Sequence, residues 1–154
     1  MVVSGFGISL RLPVGWEGRI FMPDPDPDAP VLPIVHAGSF ALPSDSSAFG
    51  SVAIGLMNGR GAFLALMEYG AHKLGRPAFA QVGLPLPLAR DDFQPHALHL
   101  PRPGLVGYQR LFSLGARPFS FQAVIGLADM DADLAETNEV LRSLIVEPGN
   151  WATL

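Results

Sequence analysis

Hydrophobic and polar positions alternate most clearly at the two ends of the chain. Near the start, Phe6, Ile8, Leu10 and Leu12 are spaced by Gly7, Ser9 and Arg11, the period of two that marks a half-buried strand. The segment "LPVG" then predicts a type I turn with Pro13 second and Gly15 fourth. "WEGRIFM" follows as the return strand of a hairpin, with Trp16, Gly18, Ile20 and Met22 on one face. Trp16 opens that strand, and the expectation is that its indole plugs one end of the sheet beside residues 83–104. Further on, "VGYQRLFSL" and "PFSFQAVIGL" are joined by "GARP", the pattern of a second hairpin. Pairing Leu114 with Phe119 sets Phe112 opposite Phe121 and Tyr108 opposite Ile125. The last periodic segment, "DMDADLAETNEVLRSLIVEPG", reads as a helix capped by Asp129 or Asp131, with a stripe of Leu134, Thr137, Leu141 and Leu144.

The middle of the chain carries weaker patterns. "VLPIVHAGSFAL" predicts a third strand, with Ile34, His36 and Phe40 sharing a face. "SVAIGLM" predicts a fourth, with Val52, Ile54 and Leu56 facing together. After "NGRG", the residues Phe63, Leu66, Met67, Gly70 and Leu74 follow a helical spacing, which Gly75 is placed to stop. Residues 76–104 hold six of the fifteen prolines. They predict an irregular wrap with one short strand near "AFAQV", since proline breaks a helix from within.

These elements, over 154 residues, predict one α/β (α+β) domain spanning 1–154. A mostly antiparallel sheet of about six or seven strands is packed by helices near 60–74 and 131–143. Phe112, Phe121, Tyr108, Ile125, Leu141 and Leu66 are expected to be buried.

Composition changes the picture in two ways. Hydrophobic residues reach 49% and charged residues only 16%, which excludes a disordered chain and leaves few charges to cover the surface. Part of that surface is therefore expected to meet a protein partner, a second copy of the chain included. The net charge is −4 with no basic run, which argues against nucleic acid. The absence of cysteine excludes disulfides, thiol catalysis and cysteine-based zinc sites. The first residues lack the basic and apolar regions of a signal peptide. "GAFLALMEYG" is about half of the ~20 apolar residues that a membrane span requires. A cytoplasmic protein without a membrane span is the expectation.

Candidate chemistry is sparse. Asp24, Asp26 and Asp28 alternate with prolines, but Ala29 and Val35 stand where a calcium loop needs glycine and glutamate. His96 and His99 form H-x-x-H, and Glu68 with His72 would lie at i, i+4 on the expected helix. Nothing in the spacing joins the two pairs, so no metal site and no cofactor are assigned. His36 lies on an apolar strand face and reads as a core histidine with one backbone partner. Arg60 and Gly61, between an expected strand and helix, form a candidate anion site, although no G-K-S or G-K-T motif follows. No G-x-S-x-G or S-x-x-K occurs, and no catalytic residue is assigned.

The element order, with Pro13, Gly15 and Trp16 as "P-x-G-W" after the first strand and Ser143–Val146 after the final helix, resembles the PsbP-like fold. That fold is shared by the extrinsic photosystem II subunit and the Ran-binding nuclear-import factor. More narrowly, the chain resembles uncharacterised actinobacterial proteins of this type, though many bacterial relatives are lipoproteins and this chain has no cysteine. The resemblance implies a docking scaffold with no catalytic residues to carry over. The functional expectation is a non-enzymatic binding or adaptor module, with Phe93, Leu98, Leu100 and Trp16 as partner-binding candidates. The alternative is a small-molecule or metal-binding enzyme using His36, Glu68, His72, His96 or His99.

Overall fold

The computed structural model describes residues 1–28, 31–98 and 100–149. Its strands are β1 (Val2–Gly5), β2 (Ile8–Arg11), β3 (Glu17–Phe21), β4 (Ile34–Gly38), β5 (Ala62–Glu68), β6 (Leu105–Leu114), β7 (Arg117–Gly126) and β8 (Ile145–Val146). Two α-helices, α1 (Ser51–Leu56) and α2 (Met130–Arg142), complete the regular structure. The class is α+β as expected, but the strands form two antiparallel sheets. A three-stranded sheet has the order β1-β2-β8, and a five-stranded sheet the order β3-β4-β5-β7-β6.

The main core lies on the inner face of the larger sheet. Leu64, Leu66, Phe112, Phe119, Phe121 and Ile125 pack there against Ile8 and Leu10 of the small sheet and Leu134, Val140 and Leu141 of α2. All six residues expected to be buried are buried. On the outer face, Phe63, Ala65, Leu105 and Val124 pack under Ala53, Ile54 and Met57 from the α1 region, with Leu98 from the wrap.

Two assignments are exchanged. "SVAIGLM" forms α1 rather than a strand, and the segment expected to be a helix contains β5, the middle strand of the sheet. The alternation in α1 was coincidental: Val52 and Leu56 are exposed, while Ala53, Ile54 and Met57 hold the buried helical spacing. In β5, Ala62–Leu66 are buried on both faces. A strand covered on both sides has no polar face, so its apolar run fits a helical stripe equally well. Gly50, with φ 68°, turns the chain into α1, and any Cβ there would strike the Phe63 ring.

The first hairpin is also relocated. β1 and β2 form it, turning at Phe6 and Gly7, both at positive φ. The Trp16 N–H donates to the Pro13 carbonyl at 3.2 Å. This makes Pro13 the first residue of the turn and Gly15 the third, with the positive φ (89°) that a type II turn requires. That turn closes no hairpin; it carries the chain from the small sheet to the large one.

The second hairpin exists with a different register. Phe112 pairs with Phe119, Tyr108 with Ala123, and Leu114 with Arg117. The loop is only Gly115-Ala116, at φ 59° and 56°, as the type I′ turn of a right-twisted hairpin demands. A shift of two residues preserves the faces, so the expected set still points inward.

In the wrap, Pro77–Phe79, Arg90–Asp92 and Pro95–Ala97 are single 3₁₀ turns. The strand expected near "AFAQV" reduces to one bridge between Val82 and Ser113. Leu88 and Phe93 join the inner core and Leu98 the outer one, so the wrap passes around the β6 edge. Asn138 of α2 clamps it: the Leu88 N–H donates to Asn138 Oδ1 at 2.7 Å, and Asn138 Nδ2 donates to the Leu88 carbonyl at 3.0 Å.

Arg117, 1% exposed, ties the two sheets together. It donates to both Glu68 carboxylate oxygens, to the Glu147 carbonyl after β8 and to the Phe6 carbonyl in the β1–β2 turn. Arg117→Met alone strands the Glu68 charge and is expected to cost ~3–5 kcal/mol in urea unfolding. Arg117→Met with Glu68→Leu should recover at least half of that, and additive losses from the two changes would refute the coupling.

Candidate functional site

A single polar row crosses the outer face of the five-stranded sheet. Register places Arg19 beside His36, His36 beside Ala65, Ala65 beside Gln122, and Gln122 beside Gln109. The segment from Ser39 through α1 covers the middle of this row. His36 is 1% exposed, between the rings of Phe21 (5.1 Å) and Phe63 (5.3 Å). Its Nε2 lies 3.4 Å from the Ala48 carbonyl, in keeping with the expected core histidine. Arg19 stacks on Phe21 at 4.8 Å and donates to the Asp45 carbonyl.

Asp45 anchors the covering segment. Its carboxylate accepts from the N–H groups of Ser47 at 2.9 Å and Val52 at 3.0 Å. Burial works to raise its pKa, but the hydrogen bonds from Ser47 and Val52 together hold it below the usual carboxylate value. Burial above all holds the His36 pKa below its ordinary value, and the nearby Arg19 charge adds to that effect.

Arg19 Nε has no hydrogen-bond partner, and Gln122, further along this row, has none at either end of its amide, Nε2 or Oε1. Gln122 is 1% exposed. It forms the floor of a small pocket of about 30 Å³, walled by Ile54 and Leu98 with Phe49, Ser51, Leu100 and Arg102 at the mouth. Leu100 is 59% exposed and Arg102 is exposed. Gly107 helps to shape the pocket, because a side chain there would collide with Leu98.

A second concavity, an open groove of about 530 Å³, lies between Trp16, Phe40, the Asn58–Gly61 turn and the start of α2. Asp129, Asp133 and Glu136 line it together with Arg60. Burial first, then the charges of Asp129 and Glu136, raise the Asp133 pKa, while a hydrogen bond from the Gly61 backbone opposes the rise. Trp16 is 4% exposed, and its indole N–H donates to Glu136 at 2.5 Å.

The residues singled out from the sequence are therefore dispersed. Leu98 and Leu100 meet at the pocket, whereas Phe93 is 5% exposed in the inner core and Trp16 is buried against α2. Of the four partner-binding candidates, only Leu100 presents its side chain to solvent. Arg60 and Gly61 precede a strand, not a helix, so no helix dipole acts there, and the Gly61 N–H serves Asp133. Glu68 is held by Arg117 rather than paired with His72, and β5 ends before His72. His72 and His96 are exposed in separate 3₁₀ turns, and His99 lies outside the described residues. No group of three or more potential ligands that could hold a metal occurs among the described residues. No described helix is long and apolar enough to cross a membrane.

Sequence reasoning missed Gln122 and Arg102. Gln122 alternates with Phe121 and Ala123 and so reads as the solvent face of a strand; the only signal was its place beside Ser120 in a strongly apolar hairpin. Comparison of the chain with protein-family models, curated proteins and solved structures finds no match.

Two changes test this arrangement. Trp16→Ala removes a buried indole and is expected to cost ~3–5 kcal/mol; a melting shift under about 2 °C would show that the ring is not part of the core. His36 is neutral in the fold, so stability is full above its unfolded value of 6.5 and falls as pH drops through the lower folded value. Urea titrations between about pH 8 and pH 5 should show this loss in the wild type and a flatter profile in His36→Leu. Superimposable profiles would assign the titration elsewhere.

Proposed function

We propose that this chain is a non-enzymatic binding module that docks a protein partner through the mouth of the outer-face pocket. The observation that carries the reading is Leu100, 59% exposed on the rim of a pocket whose buried walls, Ile54 and Leu98, are also apolar. Monomeric surfaces rarely gather apolar residues around a concavity without an occupant. Val52 and Leu56 add exposed apolar surface on α1.

The occupant is an extended segment of another protein, with an anchoring side chain followed by an acidic residue. Arg102 stands at the rim, and no acidic residue lines the pocket among those described. In a chain of net charge −4 this is a local cationic spot that selects a carboxylate. A relationship to the PsbP-like docking scaffolds, of the uncharacterised actinobacterial kind, and a cytoplasmic setting belong to the same proposal. Supporting it are Pro13, Gly15 and Trp16 at the crossing from one sheet to the other, and α2 running through Ser143 into β8.

Selection from a random peptide display library checks the reading. Recovered peptides are expected to carry an anchor residue next to an acidic one. Leu100→Asp and Arg102→Glu alter only exposed side chains, and each should weaken binding at least roughly tenfold, about 1.4 kcal/mol, with an unchanged melt. Failure to recover binders, or binding indifferent to both changes, would overturn it.

A further inference from the structure

The docking proposal leaves the chemistry of the anchor open, and the pocket floor defines it. A glutamine side chain has two donors on Nε2 and an acceptor on Oε1. In Gln122 both atoms are buried and unpartnered, in a strand flanked by β5 and β6. Buried polar groups are almost always satisfied, so an orphaned pair of this kind points to something that completes it. The neighbours in its row do not: Ala65 has no polar side-chain group, and Gln109 Nε2 turns outward to donate to the Ala97 carbonyl at 2.8 Å.

We infer that the pocket recognises a primary carboxamide, the side chain of an asparagine or glutamine on the docked segment. This rests on the docking proposal and specifies its anchor. A carboxamide placed face to face with Gln122 exchanges two N–H···O bonds with it and satisfies both orphans at once. A carboxylate would leave the Gln122 carbonyl facing negative charge, and an ammonium would leave its amide hydrogens unmet. An aliphatic anchor would leave both unmet. Size agrees: at roughly 10–15 Å³ per water-sized atom, the cavity of about 30 Å³ takes two or three atoms, the carbon, oxygen and nitrogen of one amide. The rest of the ligand then lies on Phe49, Ile54 and Leu100, with the neighbouring acid at Arg102.

Benzamide, benzoate and toluene serve as probes, each titrated into the 15N-labelled protein. Benzamide is expected to shift the Gln122 side-chain NH2 resonances saturably at millimolar concentration, with benzoate and toluene at least roughly tenfold weaker. Gln122→Leu and Gln122→Met, the second conserving length, should abolish the preference. Because each removes an unpaired buried amide, they should raise the melting temperature, by about 3–6 °C. Equal binding of benzamide and toluene would overturn amide recognition and leave an apolar docking pocket intact. No binding, together with a lower melting temperature in both variants, would mean that Gln122 is satisfied by water alone and would also overturn it. Displayed peptides that bind through aliphatic anchors would separate the two proposals, retaining docking and rejecting the carboxamide.

Discussion

One guanidinium holds the two sheets of this protein in a single arrangement. Arg117 lies where neither sheet alone accounts for its surroundings: Glu68 comes from the large sheet, and the Phe6 and Glu147 carbonyls come from the turn and strand end of the small one. Such a group tolerates no partial solution, since a buried charge without its partners is far more costly than a missing apolar contact. The small sheet must therefore sit at one place and one angle over the inner face. The hairpin register makes this possible, because the tight Gly115-Ala116 turn pairs Arg117 with Leu114 and directs it inward. Gly115 also leaves room for β8, whose Val146 carbonyl would clash with any side chain there.

With the small sheet and α2 occupying the inner face, the outer face of the large sheet is covered by little more than α1, its preceding loop and the end of the wrap. That thin cover explains why polar residues persist beneath it. Asp45 ties down one side through the Ser47 and Val52 N–H groups, and His36 lies under that same side. At the other side the cover gives way between Ile54 and Leu98, which is where Gln122 stands without a partner. The inner face is thus the stable layer, and the outer face is where the protein has chemistry left to offer.

Legibility of the fold followed local contrast. α2 has one buried and one exposed side, so its stripe was readable. β7 is buried along its whole length, but Ser120 and Gln122 alternate with Phe119, Phe121 and Ala123, and that alternation in residue type made the inward set of the hairpin readable. β5 has no exposed side for most of its length, and α1 is six residues long with two exposed apolar positions; in both, the hydrophobic pattern lacked the contrast that distinguishes a strand from a helix. Of the candidate site, Leu98 and Leu100 were readable as apolar residues in a proline-rich segment with no face of its own. Gln122 was not, because a glutamine alternating with phenylalanine looks the same whether water or another layer of protein lies above it.

The sequence by itself determined the α+β class, the inward residues of the second hairpin, the C-terminal helix and the irregular character of the wrap. These depend on interactions between residues near one another in the chain, which leave periodic or proline-marked traces. Tertiary structure alone decided that β2 and β3 belong to different sheets, that Arg117 and Glu68 form one buried pair across 49 positions, and that Asn138 clamps Leu88 across 50. It also decided that Gln122 is enclosed. Each of these depends on which distant segment covers a given side chain, and burial by a distant segment imposes no spacing on the residues it covers.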